Sequence, residues 1–241
     1  METSHFGFLR ARLGLDDDSV LVTEALLPSP FDFPRHALLY TPTGIPEPRD
    51  PRFAHAVVEE TARLIELSGG GAFVLTTSIR SMHAVARGLQ SRVPGKHLLK
   101  QGDAPKSSLI GAFKAAGNAV LVATASFWEG VDVPGSALRL VVLEKIPFPV
   151  PSDPLVRARS HVIDARGGNS FMELQVPMAA ISLKQGFGRL IRSASDRGVV
   201  ALLDHRIHRR GYAKQLLRAL PPARRTSHIE DVDQFFRAEE G

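Results

Sequence analysis

Apolar residues in this chain gather in short, dense runs separated by longer amphipathic stretches. The strongest runs are AFVLT (72–76), AVLVAT (119–124), LRLVVLE (138–144) and GVVALLD (198–204). Each is too short for a buried helix and has almost no polar position, the pattern of a strand covered on both faces. HALLY (36–40) and HLLKQ (97–101) are weaker examples. Between the runs lie helical patterns. Asp50-Pro51 offers a cap and a first-turn proline, Phe53, Val57, Leu64 and Leu67 keep helical spacing, and Gly69-Gly70-Gly71 stops the helix. Ser78 can cap a helix that runs to about Leu89. Lys106 to Ala116 reads as a helix that stops at Gly117-Asn118. Further helices are expected over 153–165, 173–192, 207–219 and 229–238.

Such alternation predicts an α/β fold, a parallel sheet with helices on both faces. The interval from Glu144 to Gly198 is too long for a simple crossover, so an all-helical insertion is expected at about 150–180. The proline-dense PFPVPSDP (147–154) is its entry. Residues 1–35 are loosely patterned and read as a remnant of a preceding element. The main α/β unit spans 36–220, and 221–241 forms a C-terminal tail or helix. There is no internal repeat.

Composition narrows the field. The chain has 241 residues, 44% apolar and 23% charged, ordinary for a soluble globular protein. Lys+Arg 30 against Asp+Glu 25 gives a net charge of +5, which permits an anionic partner. Lysine occurs only at 96, 100, 106, 114, 145, 184 and 214, so arginine carries most of the positive charge. Codon bias and phosphate contact both account for that. With Cys 0, thiolate metal sites, disulfides and cysteine nucleophiles are excluded within the chain, which fits a cytoplasmic protein. No apolar window approaches the ~20 residues of a membrane span.

In a parallel sheet, ligands bind beyond the carboxyl ends of the strands. Thr77-Ser78-Ile79-Arg80 follows the first strong strand and Thr124 to Gly135 the second. Lys145 to Pro149 follows the third. Their hydroxyls, glycines and charges suit phosphate. The 124–135 loop holds the one Trp of the chain, Trp128, with Glu129, Gly130 and Asp132. A plain surface turn with Trp128 plugging the core is the competing reading. In SLKQGFGRLIR (182–192), Gly186 and Gly188 interrupt a helical pattern at ~1 kcal/mol each, so close packing of another backbone is expected there. Gln185, Arg189 and Arg192 share one face if that helix is continuous, a receptor for phosphate or carboxylate. A solvated arginine face is the bland alternative. No Walker A sequence is present, and no strand ends in an acid cluster like Walker B. His205 and His208 lack the spacing and partners of a metal site, and no metal site is expected. The C-terminal arginines, Arg206, Arg209, Arg210, Arg218, Arg224 and Arg225, read as a solvated helix and turn.

These segments together resemble the second motor lobe of DinG-type helicases, superfamily 2 DNA helicases related to the XPD group. FVLTTSIRSM (73–82) resembles motif IV, with Gln101-Gly102 at a similar short turn beyond it. VATASFWEGVDVPG (122–135) resembles motif V, and LEKIPFPVPSDP (143–154) is similar to the segment that follows. QGFGRLIRSASDRGVVALLDHRI (185–207) resembles motif VI and its trailing strand. FGFLRARLGL (6–15) is similar to the stretch after motif III of the first lobe, which favours a truncated chain. The order agrees over roughly residues 30–220.

The resemblance implies a RecA-like lobe of an ATP-dependent 5′–3′ DNA helicase in DNA repair, closing over ATP and Mg²⁺ held mainly by a first lobe. Arg189 and Arg192 would be arginine fingers, and Gln185 would orient phosphate or the attacking water. Glu129, Gly130 and Asp132 would line the nucleotide cleft. Thr77, Ser78, Arg80 and Thr124 would contact the backbone of single-stranded DNA. The partners are that DNA and the first lobe, with no membrane. An iron–sulfur cluster in the parent protein would lie outside this cysteine-free chain, and the isolated chain is expected to be inactive. The alternative is a non-catalytic nucleic-acid-binding or protein-interaction module.

Overall fold

The computed structural model describes all residues except 1–5, 16, 18–20, 28, 125, 126, 128–132, 134–136, 192, 194 and 239–241. For Arg12 and Arg189 it describes the backbone only. The chain divides into Met1–Pro30 and Phe31–Gly241. The first unit holds one helix, α1 (Gly7–Leu13), ended by Gly14 in the left-handed conformation.

The second unit is built on seven parallel strands. They are β1 (Ala37–Tyr40), β2 (Ala72–Thr76), β3 (Leu98–Lys100), β4 (Val120–Thr124), β5 (Leu140–Leu143), β6 (Gly198–Leu202) and β7 (Arg224–Thr226). Their spatial order is β3-β4-β2-β5-β6-β1-β7. Five of the runs expected from the apolar pattern are β2 to β6, and β1 is the HALLY run less its histidine. Strand residues alternate between two cores. Phe73, Leu75, Leu121, Val141 and Val200 face one, and Val74, Val122, Leu140, Val142 and Val199 face the other.

Helices α3 (Phe53–Ser68), α4 (Ile79–Gln90) and α10 (Ile229–Arg237) supply Val57, Leu64, Val85, Leu89 and Phe235 to the second core. On the opposite face, α2 (Phe33–His36) contributes Phe33, α5 (Lys106–Ala116) Phe113, and α7 (Val176–Leu190) Leu183 and Phe187. α6 (Pro154–Ala165), the start of the helical insertion, buries only Val156. α8 (Arg206–Arg209) and α9 (Ala213–Ala219) complete the fold. Burying a side chain such as Leu64 or Phe113, each at most 1% exposed, stabilises by about 1.5–3 kcal/mol.

Several boundaries differ from the sequence pattern for local reasons. Asp50 does not cap α3. Its carboxylate accepts from the Arg52 backbone N–H (2.8 Å) and side chain, which makes a turn ahead of Phe53. The helix expected from 173 begins earlier, as a π-helical turn over Phe171–Gln175 in which the Val176 N–H reaches Phe171 O. Pro177 follows directly, and a proline ring cannot sit against the carbonyl four residues back in a regular helix, so the turn widens. The same helix ends at Leu190, with Ile191 already extended (φ −114°, ψ 108°). The stretch 207–219 is two helices broken at Arg210–Tyr212. β7 is a strand where a tail was expected: Arg224 and Arg225 point to solvent on an edge strand paired with β1. α10 then packs Val232, Phe235 and Phe236 into the core.

Gly70 and Gly198 are among the glycines demanded by close approach. Gly70 has φ +108°, and a Cβ there would lie 2.2 Å from Asn118 O. At Gly198 a Cβ would lie 2.4 Å from Arg139 O, so β6 meets β5 too closely for any side chain. Gly188 is different. It is exposed, and a Cβ would meet nothing within 4 Å, so packing within this chain does not explain it. Gly188→Ala should therefore stabilise the lobe by about 0.4–1 kcal/mol. Thermal unfolding of the 241-residue chain checks this: a lower melting temperature would mean that the glycine serves the isolated fold.

Candidate functional site

β2 and β5 are neighbours, but the chain leaves them in opposite directions. From β2 it goes through α4 to β3 on one side, and from β5 it goes on to β6 on the other. A parallel sheet opens a crevice beyond the carboxyl ends of two such strands, where ligands bind. Here the crevice is a cleft of about 430 Å³. Ser78, Arg80 and Ser81 line it from the β2 side, Glu144 and Lys145 from the β5 side, and Asp50 and Phe53 from the segment after β1.

Glu144 ties the two strands together at the cleft. It is 2% exposed. Its carboxylate accepts the Thr77 backbone N–H (3.2 Å) and the Ser81 hydroxyl, and it pairs with the Lys145 ammonium at 3.1 Å. A buried carboxylate needs such partners, because an unpaired one is costly. The anchored turn is shaped further by Ser78, whose hydroxyl accepts the Ser81 N–H (3.1 Å) and caps α4 as expected. Thr77, Ser78 and Arg80 are left exposed on the turn.

Asp204 does a similar job one strand over. It is fully buried after β6 and accepts the Ile146 N–H at 3.0 Å. Arg206 donates to it through Nε (2.9 Å) and Nη2 (2.6 Å). These charge-assisted bonds hold the Arg206 guanidinium above its ordinary range. Arg206 is thus not a solvated arginine: it packs 5.7 Å from the centre of the Phe148 ring. Phe148, Phe171 and Tyr212 stack edge to face or tilted with centroids 5.3–5.5 Å apart, joining the insertion's entry, the π-helical turn and the start of α9.

The residues singled out from sequence fall on different surfaces. Ser78 and Arg80 come together at the cleft, and Thr77 precedes them on the same exposed turn. Thr124 ends β4 beside Thr76 in register, but it is 9% exposed, and its N–H (2.8 Å) and hydroxyl (2.9 Å) both reach Gln101 Oε1. Gln185 is exposed on α7. That helix runs antiparallel to the strands, so Arg189, near its end, lies toward the amino edge, where Leu190 packs against Gly198 at the start of β6. Because α7 stops at Leu190, helical spacing does not carry Arg192 onto the face of Gln185 and Arg189. Arg192, Glu129, Gly130 and Asp132 lie outside the described residues. Sequence reasoning gave Lys145 only as the start of a strand-end segment and Gln101 only as part of a turn, and it passed over Glu144 and Asp204. The signal for the two acids was a single carboxylate closing an otherwise apolar run.

Among the described residues, no group of His, Asp and Glu could hold a metal ion, and no helix is long and apolar enough to cross a membrane. A second hollow of about 310 Å³ between α3 and α10 gathers Glu66, Glu230 and Asp233 around Arg63, a setting that repels phosphate.

A family model described as the helicase C-terminal domain matches residues 61–223. The chain belongs to that family. It is 44% identical over 225 residues to the ATP-dependent DNA helicase YoaA of Escherichia coli, covering 93% of this chain and 35% of that protein. It is 40% identical over 210 residues to the ATP-dependent helicase DinG of Mycobacterium tuberculosis, covering 87% and 32%. S. tokodaii Xpd4 shares the fold, with TM-score 0.58 at 16% identity over 87% of this chain and 42% of that one. This is a helicase C-terminal lobe similar to that of DinG-type helicases, built on a RecA-like parallel sheet. It spans about a third of the length of the curated relatives.

In the helicase lobe, the Asp204 carboxylate links strand end, insertion entry and Arg206. Asp204→Asn should cost about 1.5–3 kcal/mol, the loss of hydrogen bonds to a charged group. Chemical denaturation of the chain reads this directly, and an unchanged midpoint would show that Asp204 holds nothing.

Proposed function

We propose that this chain is the second motor lobe of an ATP-dependent 5′–3′ DNA helicase acting in DNA repair in the cytoplasm. The first RecA-like lobe, which belongs to the same parent chain, binds ATP and Mg²⁺. This lobe supplies Arg189 and Arg192 as arginine fingers, with Gln185 orienting the phosphate or the attacking water. Glu129, Gly130 and Asp132 line the nucleotide cleft. Thr77, Ser78, Arg80 and Thr124 contact the backbone of single-stranded DNA, which positions the strand without reading its sequence. Without Walker motifs, the isolated chain does not hydrolyse ATP.

The observation that carries this reading is the separation of two polar surfaces on one sheet. The exposed 77–80 turn borders the crevice at the carboxyl edge. Gln185, which is exposed, and the backbone of Arg189 follow α7 toward the amino edge. Gly188, with open space beyond its Cα, leaves room there for another surface. Such a surface suits ATP presented by the first lobe. ATP supplies the phosphoryl group whose transition-state charge a guanidinium can stabilise. The helicase names of the YoaA and DinG relatives support the same reading.

In a two-lobed protein carrying this chain, Arg189→Ala should lower DNA-stimulated ATP hydrolysis by about 10³-fold or more, with the melting temperature unchanged. Steady-state turnover with saturating oligonucleotide checks this. Unchanged turnover would remove the finger assignment.

A further inference from the structure

The cleft between β2 and β5 contains a cation that the motif reading does not use. Lys145 follows buried Glu144, with its side chain 24% exposed. Its ammonium sits 3.1 Å from Glu144 Oε1 and 5.0 Å from the centre of the Phe53 ring. A lysine ammonium has three donors. One is directed to Glu144, and the ring face takes another only weakly. Glu144 is meanwhile occupied by the Thr77 N–H and the Ser81 hydroxyl. Arg80, which lines the same cleft, has no acid partner among the described residues, and Ser78 adds a hydroxyl to the lining.

Negative charge in the cleft is already spoken for. Asp50 is bound by Arg52, whose hydrogen bonds hold its carboxyl down at about 2. Glu144, in the cleft wall, is 2% exposed, and its carboxylate is held by Thr77, Ser81 and Lys145. What faces the opening is therefore two cations and the Ser78 hydroxyl, a setting for one phosphate group. The lining favours a backbone phosphodiester over a nucleotide. Lys145 covers Phe53, the one aromatic ring in the lining, so no stacking platform for a base remains.

We propose that Lys145 and Arg80 together bind one backbone phosphodiester of single-stranded nucleic acid in this cleft. Lys145 is then a DNA-contact residue beyond Thr77, Ser78, Arg80 and Thr124. Glu144 is the positioning residue that fixes both, through the 77–81 turn on one side and the Lys145 ammonium on the other. The proposal rests on the reading of the 77–80 turn as a strand contact and extends it across the crevice to the β5 side.

The test is binding of a fluorescent oligo-dT to the 241-residue chain across a salt series. Each phosphate contact on a single strand contributes about 0.7 to the slope of log K against log salt. Lys145→Met keeps the aliphatic stem on Phe53 and removes the charge. It should reduce the slope by about 0.7, as should Arg80→Met, and the double variant should lose about 1.4. Lys145→Arg should keep the wild-type slope, which separates lost charge from lost fold. A normal slope in Lys145→Met beside a reduced one in Arg80→Met overturns the Lys145 assignment and leaves the 77–80 contact standing. Normal slopes in both variants, or no binding by the wild-type chain, overturn both. A normal slope in Lys145→Met with loss of competition by ATP would assign the cleft to a nucleotide and also overturn the proposal.

Discussion

A carboxylate buried at the end of a strand is tolerable only if fixed donors surround it, and this sheet has two. Glu144 closes β5 and Asp204 closes β6, at 2% and 0% exposure. Each takes a backbone N–H from a neighbouring segment and at least one donor from a side chain. Removing either partner set would leave a charge in a low-dielectric interior, so the loops around it have little freedom to rearrange. The 77–81 turn, the Lys145 ammonium, the 146–148 strap and Arg206 all take their places from these two groups. The carboxyl edge is thus a rigid platform, and its exposed polar residues are held before anything binds.

The strand order explains why the platform has a crevice at all. β2 and β5 lie side by side while their connections depart in opposite directions. The cleft of about 430 Å³ opens beyond their carboxyl ends, between the starts of α3 and α4. On the opposite edge, α7 brings motif VI down toward the start of β6 and ends as soon as it arrives. One sheet therefore presents two chemically different margins. In the proposed function, a DNA strand meets one margin and the nucleotide held by a first lobe meets the other, so closure of the lobes and grip on DNA act on the same rigid body.

Much of this was legible in the sequence, for definite reasons. β2, β4, β5 and β6 are apolar at nearly every position because both faces are covered, and that leaves a run no turn or surface helix shows. α5 was readable at both ends because Lys106 follows Pro105 and Gly117 takes a left-handed φ of 68°. β7 was hidden because an edge strand needs no apolar run: Arg224 and Arg225 face water while their backbones pair with β1. The end of α7 was hidden as well, since nothing in LIRS breaks a helix by propensity and the chain must turn there to enter β6 beneath Gly198. Within the site, the exposed turn residues were visible as hydroxyls and charge after a strand. Glu144 and Asp204 were not, since from sequence a buried anchoring acid looks like the first polar residue of a loop. Thr124 shows the converse. Its type and place suit phosphate, yet its hydroxyl is engaged with Gln101.

The central claim is that the carboxyl edge, and not α7, is the surface that grips single-stranded DNA. Amide hydrogen exchange of the chain, with and without saturating oligo-dT, tests it most directly. The account predicts slowed exchange over 77–81 and 144–146, with 183–190 unchanged. Protection confined to α7, or absent from the β2–β5 crevice while the oligonucleotide is bound, would contradict it.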